Sequence, residues 1–203
     1  FLGIFFARLV MKMKPVSRGI LDGILTMPLV LPPTVAGFIL LLLFSLRRPF
    51  GAFLLDNFDI KIVQTWKGCV IAASVIAFPL MYRNARAAFE QVDVNLIYAG
   101  QTLGMSDRRI FWKVIVPAAA PGIASGTVLA FARAIGEYGA TSMLAGNILG
   151  KTRTVSVAIA AETSAGNYDI AGFWVVVIVV ISFVIVALIN IVSGRGMKSR
   201  RWI

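Results

Sequence analysis

The sequence predicts an all-α integral membrane protein, and three observations lead to that fold class. Hydrophobic residues make up 59% of the 203 residues and charged residues only 14%, well below the roughly 25% of a soluble domain. The apolar runs approach the roughly 20 residues with which a helix crosses the hydrocarbon. They lack the short alternating segments of an outer-membrane barrel. We therefore expect a single transmembrane domain, residues 1–203, built as a polytopic helical bundle of about five spans.

The first span is predicted to be truncated. Residues 1–10 are apolar but too short to cross a bilayer at about 1.5 Å per residue. The chain begins with Phe1 rather than Met, so we expect further residues upstream to complete this helix. A short basic loop follows, containing Arg8, Lys12, Lys14 and Arg18. Because the basic residues follow the apolar stretch and no small-residue cleavage site ends it, a signal peptide is not predicted.

The second span, residues 24–46, contains three prolines, Pro28, Pro32 and Pro33. Proline removes a backbone donor and breaks the carbonyl ladder, so the freed groups must face protein or a water-filled cavity rather than lipid. Broken helices of this kind often line transport pathways. Thr34 and Gly37 follow directly, and we include both in a candidate pathway. The alternative is a kink that only improves packing.

Residues 47–66 are predicted to form a mixed loop with charged residues and with aromatics that suit a membrane interface. The next span, residues 66–82, ends before Arg83 and Arg86, which are expected to extend along their stems to the lipid headgroups. Pro79 is expected to kink this span. Cys69 lies within it and is interpreted as a small buried residue.

A polar stretch then separates two apolar regions, and such an insert must lie in water. Residues 93–103 have helical spacing, with Asp93 as a plausible N-cap and Gly104 as the stop. Ser106 can cap a second helix, which carries Arg108, Arg109 and Lys113. Pro117 is expected to open the next membrane span.

That span, residues 114–132, is uncharged and holds Gly122 and Gly126 in a Gly-x-x-x-Gly arrangement. Small residues let membrane helices approach closely, so we expect this span inside the bundle or at a subunit contact. Chance occurrence in a Gly-rich span is the alternative.

Arg133 and Glu137 follow, four residues apart, and are predicted to pair on one helical face. A charged pair at membrane depth is a functional candidate, although a pair that only fixes helix packing stays open. A short helix is predicted over residues 155–164, and the last span over residues 170–192.

Basic residues indicate the orientation. With the polar stretch on the inside, most of the 20 Lys and Arg residues lie on the inner side, including Arg195, Lys198, Arg200 and Arg201 after the last span. By the positive-inside rule this favours a cytoplasmic polar stretch and a cytoplasmic C-terminus, in a multi-pass protein of the cell membrane.

The polar stretch resembles the coupling loop of ABC-importer permeases, which reads Glu-Ala-Ala, three residues, Gly, nine residues, Ile, one residue, Leu-Pro. Tyr98, Ala99, Gly100, Gly104, Val114, Val116 and Pro117 occupy those positions here. Tyr98 replaces the family's acidic residue and Gly100 its second alanine. The resemblance implies a cytoplasmic coupling loop over about residues 90–116. Its implied contacts with an ATP-hydrolysing subunit are Tyr98, Ala99, Gly100, Leu103, Gly104, Met105 and Pro117.

Two further stretches are similar to molybdate permeases and, less fully, to sulfate permeases. One is Leu-Pro-Pro-Thr-Val-Ala-Gly over residues 31–37. The other runs over residues 131–147 and is followed by Thr152, Arg153 and Thr154. This resemblance implies an importer of a tetrahedral oxyanion, molybdate or tungstate, with sulfate or thiosulfate as the alternative. It also implies two copies of an ATP-binding subunit, an external oxyanion-binding protein, and a second copy of this chain, all assembled in membrane lipid.

Other classes of function find little support in the sequence. A Gly-x-x-x-x-Gly-Lys-Ser/Thr phosphate loop is absent, so the chain is not expected to hydrolyse ATP itself. The sequence has no histidine and one cysteine, which excludes internal disulfides, Cys/His zinc sites and His-dependent catalysis. Neither a cofactor, a metal nor a nucleic-acid partner is expected. A secondary transporter driven by ions would show inverted repeats and mid-membrane acids, and neither is visible.

Overall fold

The computed structural model describes residues 1–197 as secondary structure, with burial described through residue 189 and at residue 191. Every regular element in that range is helical, which confirms the all-α prediction. The helices are α1 Leu2–Met11, α2 Pro15–Val30, α3 Pro33–Phe44, α4 Pro49–Phe58, α5 Trp66–Glu90, α6 Val94–Thr102, α7 Asp107–Ile110, α8 Val116–Ile135, α9 Gly139–Leu144, α10 Val155–Ser164 and α11 Tyr168–Met197. A π-helical turn, Phe111–Ile115, joins α7 to α8. The predicted helix over residues 155–164 matches α10.

Three stretches of the described chain are long and apolar enough to cross a membrane: Trp66–Glu90, Asp107–Ile135 and Tyr168–Ile189. The pair α2 and α3 passes the same criterion as a fourth, bent by 112° at its break. These correspond to the four complete spans expected from sequence. Lys198, Arg200 and Arg201 lie outside the described residues, as does the side chain of Arg195.

The break between α2 and α3 confirms the predicted effect of the prolines, but it excludes one continuous helix over residues 24–46. Leu31 donates the last hydrogen bond of α2, to the Met27 carbonyl at 3.1 Å. Pro32 then adopts φ −52° and ψ 135°, because the ring of Pro33 disfavours the helical conformation in the residue before it. The 12 residues of α3 extend for about 18 Å, short of the roughly 30 Å of hydrocarbon.

The expectation of a loop over residues 47–66 was wrong for its first half, which α4 occupies. Pro49 lies in the first turn of α4, where its missing N–H has no intrahelical partner to lose. Asp59 ends the helix in the left-handed conformation, with φ 51°. The available signal was Pro49 at the start of an apolar run.

The expectation that Pro117 opens a span was also wrong. Residues 107–135 form one span, and Pro117 is the second residue of α8. Immediately before it, the Val116 N–H donates to the Phe111 carbonyl five residues back. Pro117 lacks the N–H that an α-helical hydrogen bond requires. The π-helical turn before it changes the hydrogen-bond spacing from four to five residues, and the helix continues through the proline.

The chain divides into two compact units. Unit 1 comprises residues 1–26, 78–130 and the chain from residue 186, and unit 2 comprises residues 27–77 and 131–185. The core of unit 1 consists of Ala7, Val10, Tyr82, Ala85, Ala88, Phe89, Phe111 and Ala119. The core of unit 2 consists of Ala36, Leu40, Ile62, Ala72, Ile76, Ala140 and Leu144.

Gly122 and Gly126 let α8 approach α5 closely within unit 1. A Cβ placed on Gly122 would lie 2.5 Å from the Cβ of Ala88, and one on Gly126 would lie 2.6 Å from the Cβ of Asn84. Neither approach leaves room for a side chain, so the Gly-x-x-x-Gly arrangement serves helix packing inside the bundle, as predicted.

The prediction that Arg86 extends to the lipid headgroups was wrong. Its guanidinium pairs with Asp22 on α2 and with Glu90 on α5, the latter at 3.0 Å. Glu90 also pairs with Arg18. The prediction treated α5 as an isolated span, whereas an arginine close to two carboxylates gains more from pairing than from hydration.

Candidate functional site

The segment resembling a coupling loop lies in unit 1 and is capped at both ends of α6. The Asp93 carboxylate accepts a hydrogen bond from the Asn95 N–H at 2.8 Å. At the other end Gly104 has φ +70°. The Gly104 N–H donates to the Gln101 carbonyl, and the Met105 N–H donates to the Gly100 carbonyl at 3.0 Å. This pair of bonds is a Schellman motif, which requires a left-handed residue that glycine supplies without strain. Both predicted ends of the helix are confirmed.

One face of α6 packs on α7. Gly100 is buried, and a Cβ placed on it would lie 3.1 Å from Cγ1 of Ile110. Met105 lies close to the same point, with its sulfur 3.8 Å from that Cβ position. Gly100, Met105 and Ile110 therefore hold the two short helices together, and a larger residue at Gly100 would force them apart.

The other side of the segment is exposed and apolar. Tyr98 is 56% exposed and Leu103 79% exposed, and Val94 and Leu96 are close to half exposed. Ala99 and Gly104 are exposed as well. Apolar side chains left uncovered on one short helix are typical of a surface that a partner protein covers.

Ser106 occupies the N-cap position of α7, but its side chain accepts no capping hydrogen bond. The predicted position is thus correct and the predicted contact is not. Arg108, Arg109 and Lys113 are exposed, and so is Pro117. Pro117 is separated from the exposed side chains of α6 by α7 and the π-helical turn.

The residues of the candidate pathway lie in unit 2, where α3 packs on α9. A Cβ on Gly37 would lie 2.5 Å from Cα of Ala140, and one on Gly139 would lie 3.0 Å from Cβ of Pro33. Gly37 is buried, whereas Pro32 and Thr34 are exposed. Gly37 therefore serves close packing, while Thr34 is an exposed residue whose hydroxyl can donate a hydrogen bond.

Arg133 and Glu137 form the predicted ion pair, with 2.7 Å between Nη1 and Oε2. The predicted geometry was wrong, because α8 ends at Ile135 and Glu137 lies in the turn beyond it. The Glu137 side chain is 1% exposed and that of Arg133 is 31% exposed. Within the described residues Oε2 has no aligned hydrogen-bond donor despite its short distance from Arg133. The contact is therefore a close charge pair rather than a hydrogen-bonded one.

The other oxygen of Glu137 caps α9. Oε1 accepts a hydrogen bond from the Ala140 N–H at 2.7 Å. Ala140 is also the residue that Gly37 of α3 approaches. Gly37 and Glu137 therefore both contact the first turn of α9. Sequence reasoning missed α9, which has only six residues. The available signal was an acidic residue three positions before Ala140.

A cavity of about 400 Å³ lies beside Glu137 in unit 2, and Cys69, Thr141 and Thr154 also line it. The Cys69 sulfur lies 3.5 Å from the Thr152 carbonyl. Thr154 caps α10 by accepting a hydrogen bond from the Val157 N–H.

Next to this cap, Arg153 pairs with Glu162 at 2.8 Å. Hydrogen bonds from Asn167 and Arg153 hold the pKa of Glu162 below its usual value. Among the described residues no group of three or more Cys, Asp and Glu side chains is placed to hold a metal ion.

The described chain is thus an all-helical membrane protein with a capped polar segment between two of its spans, an arrangement that fits the membrane subunit of a transporter. The family model described as binding-protein-dependent transport system inner membrane component matches residues 1–194, and the chain belongs to that family. The predicted resemblance is thereby confirmed.

Relatives within the family include two proteins named as molybdenum permeases. The Molybdenum transport system permease protein ModB of Escherichia coli K12 is 46% identical over 157 residues, which is 77% of this chain and 69% of that protein. The Putative molybdenum transport system permease protein YvgM of Bacillus subtilis is 43% identical over 170 residues, or 84% of this chain and 75% of that protein.

The Sulfate transport system permease protein CysT of Salmonella typhimurium is 33% identical over 193 residues, or 95% of this chain and 69% of that protein. A chain of the MetNI methionine ABC transporter, solved in an inward-facing conformation, superposes with a TM-score of 0.67. That match covers 97% of this chain and 85% of the other at 14% identity. The fold is therefore that of an ABC-importer permease.

Proposed function

We propose that this chain is the permease subunit of an ATP-driven importer that moves a tetrahedral oxyanion, molybdate or tungstate, into the cytoplasm. The observation that carries the proposal is the ranking of relatives. Permeases named for molybdenum are 46% and 43% identical to this chain, and a permease named for sulfate is 33% identical. Sulfate or thiosulfate is the second candidate, because the sulfate permease aligns over 95% of this chain.

The proposed assembly contains two copies of this chain, two ATP-binding subunits and an external oxyanion-binding protein. The exposed side of α6, formed by Tyr98, Ala99, Leu103 and Gly104, is the proposed contact with the ATP-binding subunit. Support comes from its apolar, uncovered side chains and from its rigid caps. Gly100 and Met105 hold α6 on α7. Pro117 lies further along the span that begins with α7. The orientation proposed is cytoplasmic for this segment and for the C-terminus.

The proposed pathway passes the break between α2 and α3. An oxyanion needs hydrogen-bond donors along its path without a deep positive trap, because a site that binds too tightly would not release. Thr34 is exposed and its hydroxyl can donate. The break at Pro32 and Pro33 also puts Thr34 in the first turn of α3, where backbone N–H groups lack α-helical partners. Arg133 is neutralised by Glu137, which prevents a deep trap, and Gly37 sets how closely α9 approaches.

Uptake in proteoliposomes tests the proposal. The permease is reconstituted with its ATP-binding subunits and binding protein, and uptake of radiolabelled molybdate is measured with and without excess sulfate. Uptake that requires ATP and resists sulfate is the expected result. Uptake that excess sulfate abolishes would assign the chain to sulfate. Uptake that persists with an inactivated ATPase would indicate an ion-coupled transporter and contradict the proposal.

A further inference from the structure

An apolar cavity in unit 1 lies between the helix that starts the chain and the proposed coupling segment. Its volume is about 240 Å³. Four helices and the π-helical turn contribute apolar walls, namely Met11, Phe89, Ile97, Ile110, Phe111 and Ile115. Ile97 belongs to α6, so whatever occupies the cavity contacts the inner side of the segment whose outer side is proposed to meet the ATPase.

Two cations and one carboxylate, Arg8, Lys12 and Asp107, complete the lining. The guanidinium carbon of Arg8 lies 3.9 Å from the centre of the Phe111 ring, an attractive cation–π arrangement. The ion pairs found within residues 1–197 include neither Arg8 nor Lys12. Asp107 is therefore not within 4.0 Å of either cation. The cavity thus carries a net positive charge with no internal carboxylate paired to it.

This combination selects a class of ligand. A free inorganic anion would contact the two cations but leave the apolar walls uncovered. A zwitterionic lipid would bring its own ammonium group close to Arg8 and Lys12. An anionic lipid supplies a phosphate for the cations and an apolar chain for the walls, and basic pockets between membrane helices on the cytoplasmic side bind such headgroups.

We propose that this cavity binds an anionic phospholipid of the inner leaflet, with its phosphate at Arg8 and Lys12 and its proximal acyl chain against Ile97 and Ile115. The proposal rests on the cytoplasmic orientation given above, because that orientation places Arg8 and Lys12, at the end of α1, beside the anionic leaflet. A bound lipid of this kind would fix α6 against α1 and α5. ATP-driven uptake should then rise with the anionic fraction of the bilayer.

The test uses the assembled, delipidated transporter in detergent. Its apparent melting temperature is measured during titration with phosphatidylglycerol, with phosphatidylcholine and with inorganic phosphate. A saturable rise with phosphatidylglycerol alone is expected. An equal rise with phosphatidylcholine would overturn the proposal, and an equal rise with inorganic phosphate would replace the lipid by a free anion. Because this readout needs neither substrate nor ATP, it can fail independently of the proposed transport function.

Variants locate the effect. Arg8→Gln with Lys12→Gln should weaken the apparent phosphatidylglycerol affinity about ten-fold, the expected loss of charge-assisted hydrogen bonds. The matched control, Lys14→Gln with Arg109→Gln, removes the same charge from exposed residues that do not line the cavity, and should keep wild-type affinity. If the double variant does not fold, Lys12→Gln alone decides, because Lys12 is exposed. Wild-type affinity in that variant would overturn the proposal.

Discussion

Asp22 on α2 accepts hydrogen bonds from two side chains of α5, Tyr82 and Arg86. The Tyr82 hydroxyl donates to Oδ1 at 2.7 Å, and the Arg86 guanidinium contacts the same oxygen. Tyr82 is fully buried. Arg86 continues to Glu90, which is three residues before the Asp93 cap of α6. The pair therefore fixes the end of α5, from which the proposed coupling segment starts, against α2.

Breaking this pair should destabilise the permease through the charge that is left behind. Asp22→Asn and Arg86→Gln should each lower the free energy of unfolding, and a double-mutant cycle should give a coupling of about 0.5–3 kcal/mol. Arg48→Gln is the matched control, since Arg48 is exposed and belongs to none of the ion pairs found within residues 1–197, and it should be nearly neutral. Additive effects of the two single substitutions on thermal stability would contradict the pairing.

Gly104→Val should uncouple ATP hydrolysis from uptake. Valine resists the φ of +70° at this position because it is β-branched, so the Schellman motif that ends α6 should distort. Uptake per ATP hydrolysed should fall at least several-fold while the membrane helices still assemble. Gly104→Asn should keep most of the uptake, because asparagine tolerates the left-handed conformation.

Gly166→Val controls for backbone strain in that experiment. Gly166 has φ +80° but lies between α10 and α11, outside the proposed coupling segment. A similar loss of stability with normal uptake is expected there. If both valine variants transport equally well, the assignment of the coupling segment fails.

The local features of the coupling segment could be predicted because their signals are local. Asp93 precedes the helix that it caps, and Gly104 stands where a left-handed residue is needed. The same holds for the helix predicted over residues 155–164, which matches α10, and for Pro32 and Pro33 at the break. In each case a few neighbouring residues determine the backbone conformation.

Other features could not be predicted because they depend on distant parts of the chain. Asp22 and Arg86 are 64 residues apart, and no spacing rule connects them. The contact of Gly37 with Ala140 likewise depends on how α3 and α9 pack. The apolar cavity in unit 1 is formed by residues that lie as far apart in the sequence as Arg8 and Ile115. Sequence reasoning assigned Arg8 only to a basic loop, since charge patterns indicate the membrane side rather than the contact.

The stabilities of Arg133 and Glu137 variants should be coupled. Substitutions at Glu137 should also separate the roles of its two carboxylate oxygens, since Oε2 contacts Arg133 and Oε1 caps α9. Glu137→Ala removes both the charge and the cap of α9, whereas Glu137→Gln keeps an oxygen for the Ala140 N–H and removes only the charge. The alanine variant should therefore be the less stable of the two, by about 0.5–2 kcal/mol, the value of a lost helix cap.

A cycle with Arg133→Gln tests the charge pair itself. The double variant should lose less stability than the sum of the two single variants, because each single variant leaves one charge unpaired. The expected coupling is about 0.5–3 kcal/mol. Thermal unfolding of the detergent-solubilised protein measures each term. Equal stability of the alanine and glutamine variants would show that Oε1 does not cap α9, and a coupling of zero would reject the pair.

Introduced cysteines should locate the pathway at the break between α2 and α3. In a Cys69→Ala background, Thr34→Cys and Val35→Cys should react with a water-soluble thiol reagent, because both positions are exposed and the proposed pathway at the break contains water. Ala36→Cys is the matched control, since Ala36 is buried against the core of unit 2 and should stay unreactive. A lipid-facing position would also be unreactive, because thiolates do not form in hydrocarbon. Reactivity of a cysteine at position 34 thus reports contact with water rather than mere exposure.

If the break lines the pathway, that reactivity should change when nucleotide binds the ATP-binding subunits. A Thr34→Cys variant that is inert in every nucleotide state, beside a reactive cysteine on another span, would place the pathway elsewhere.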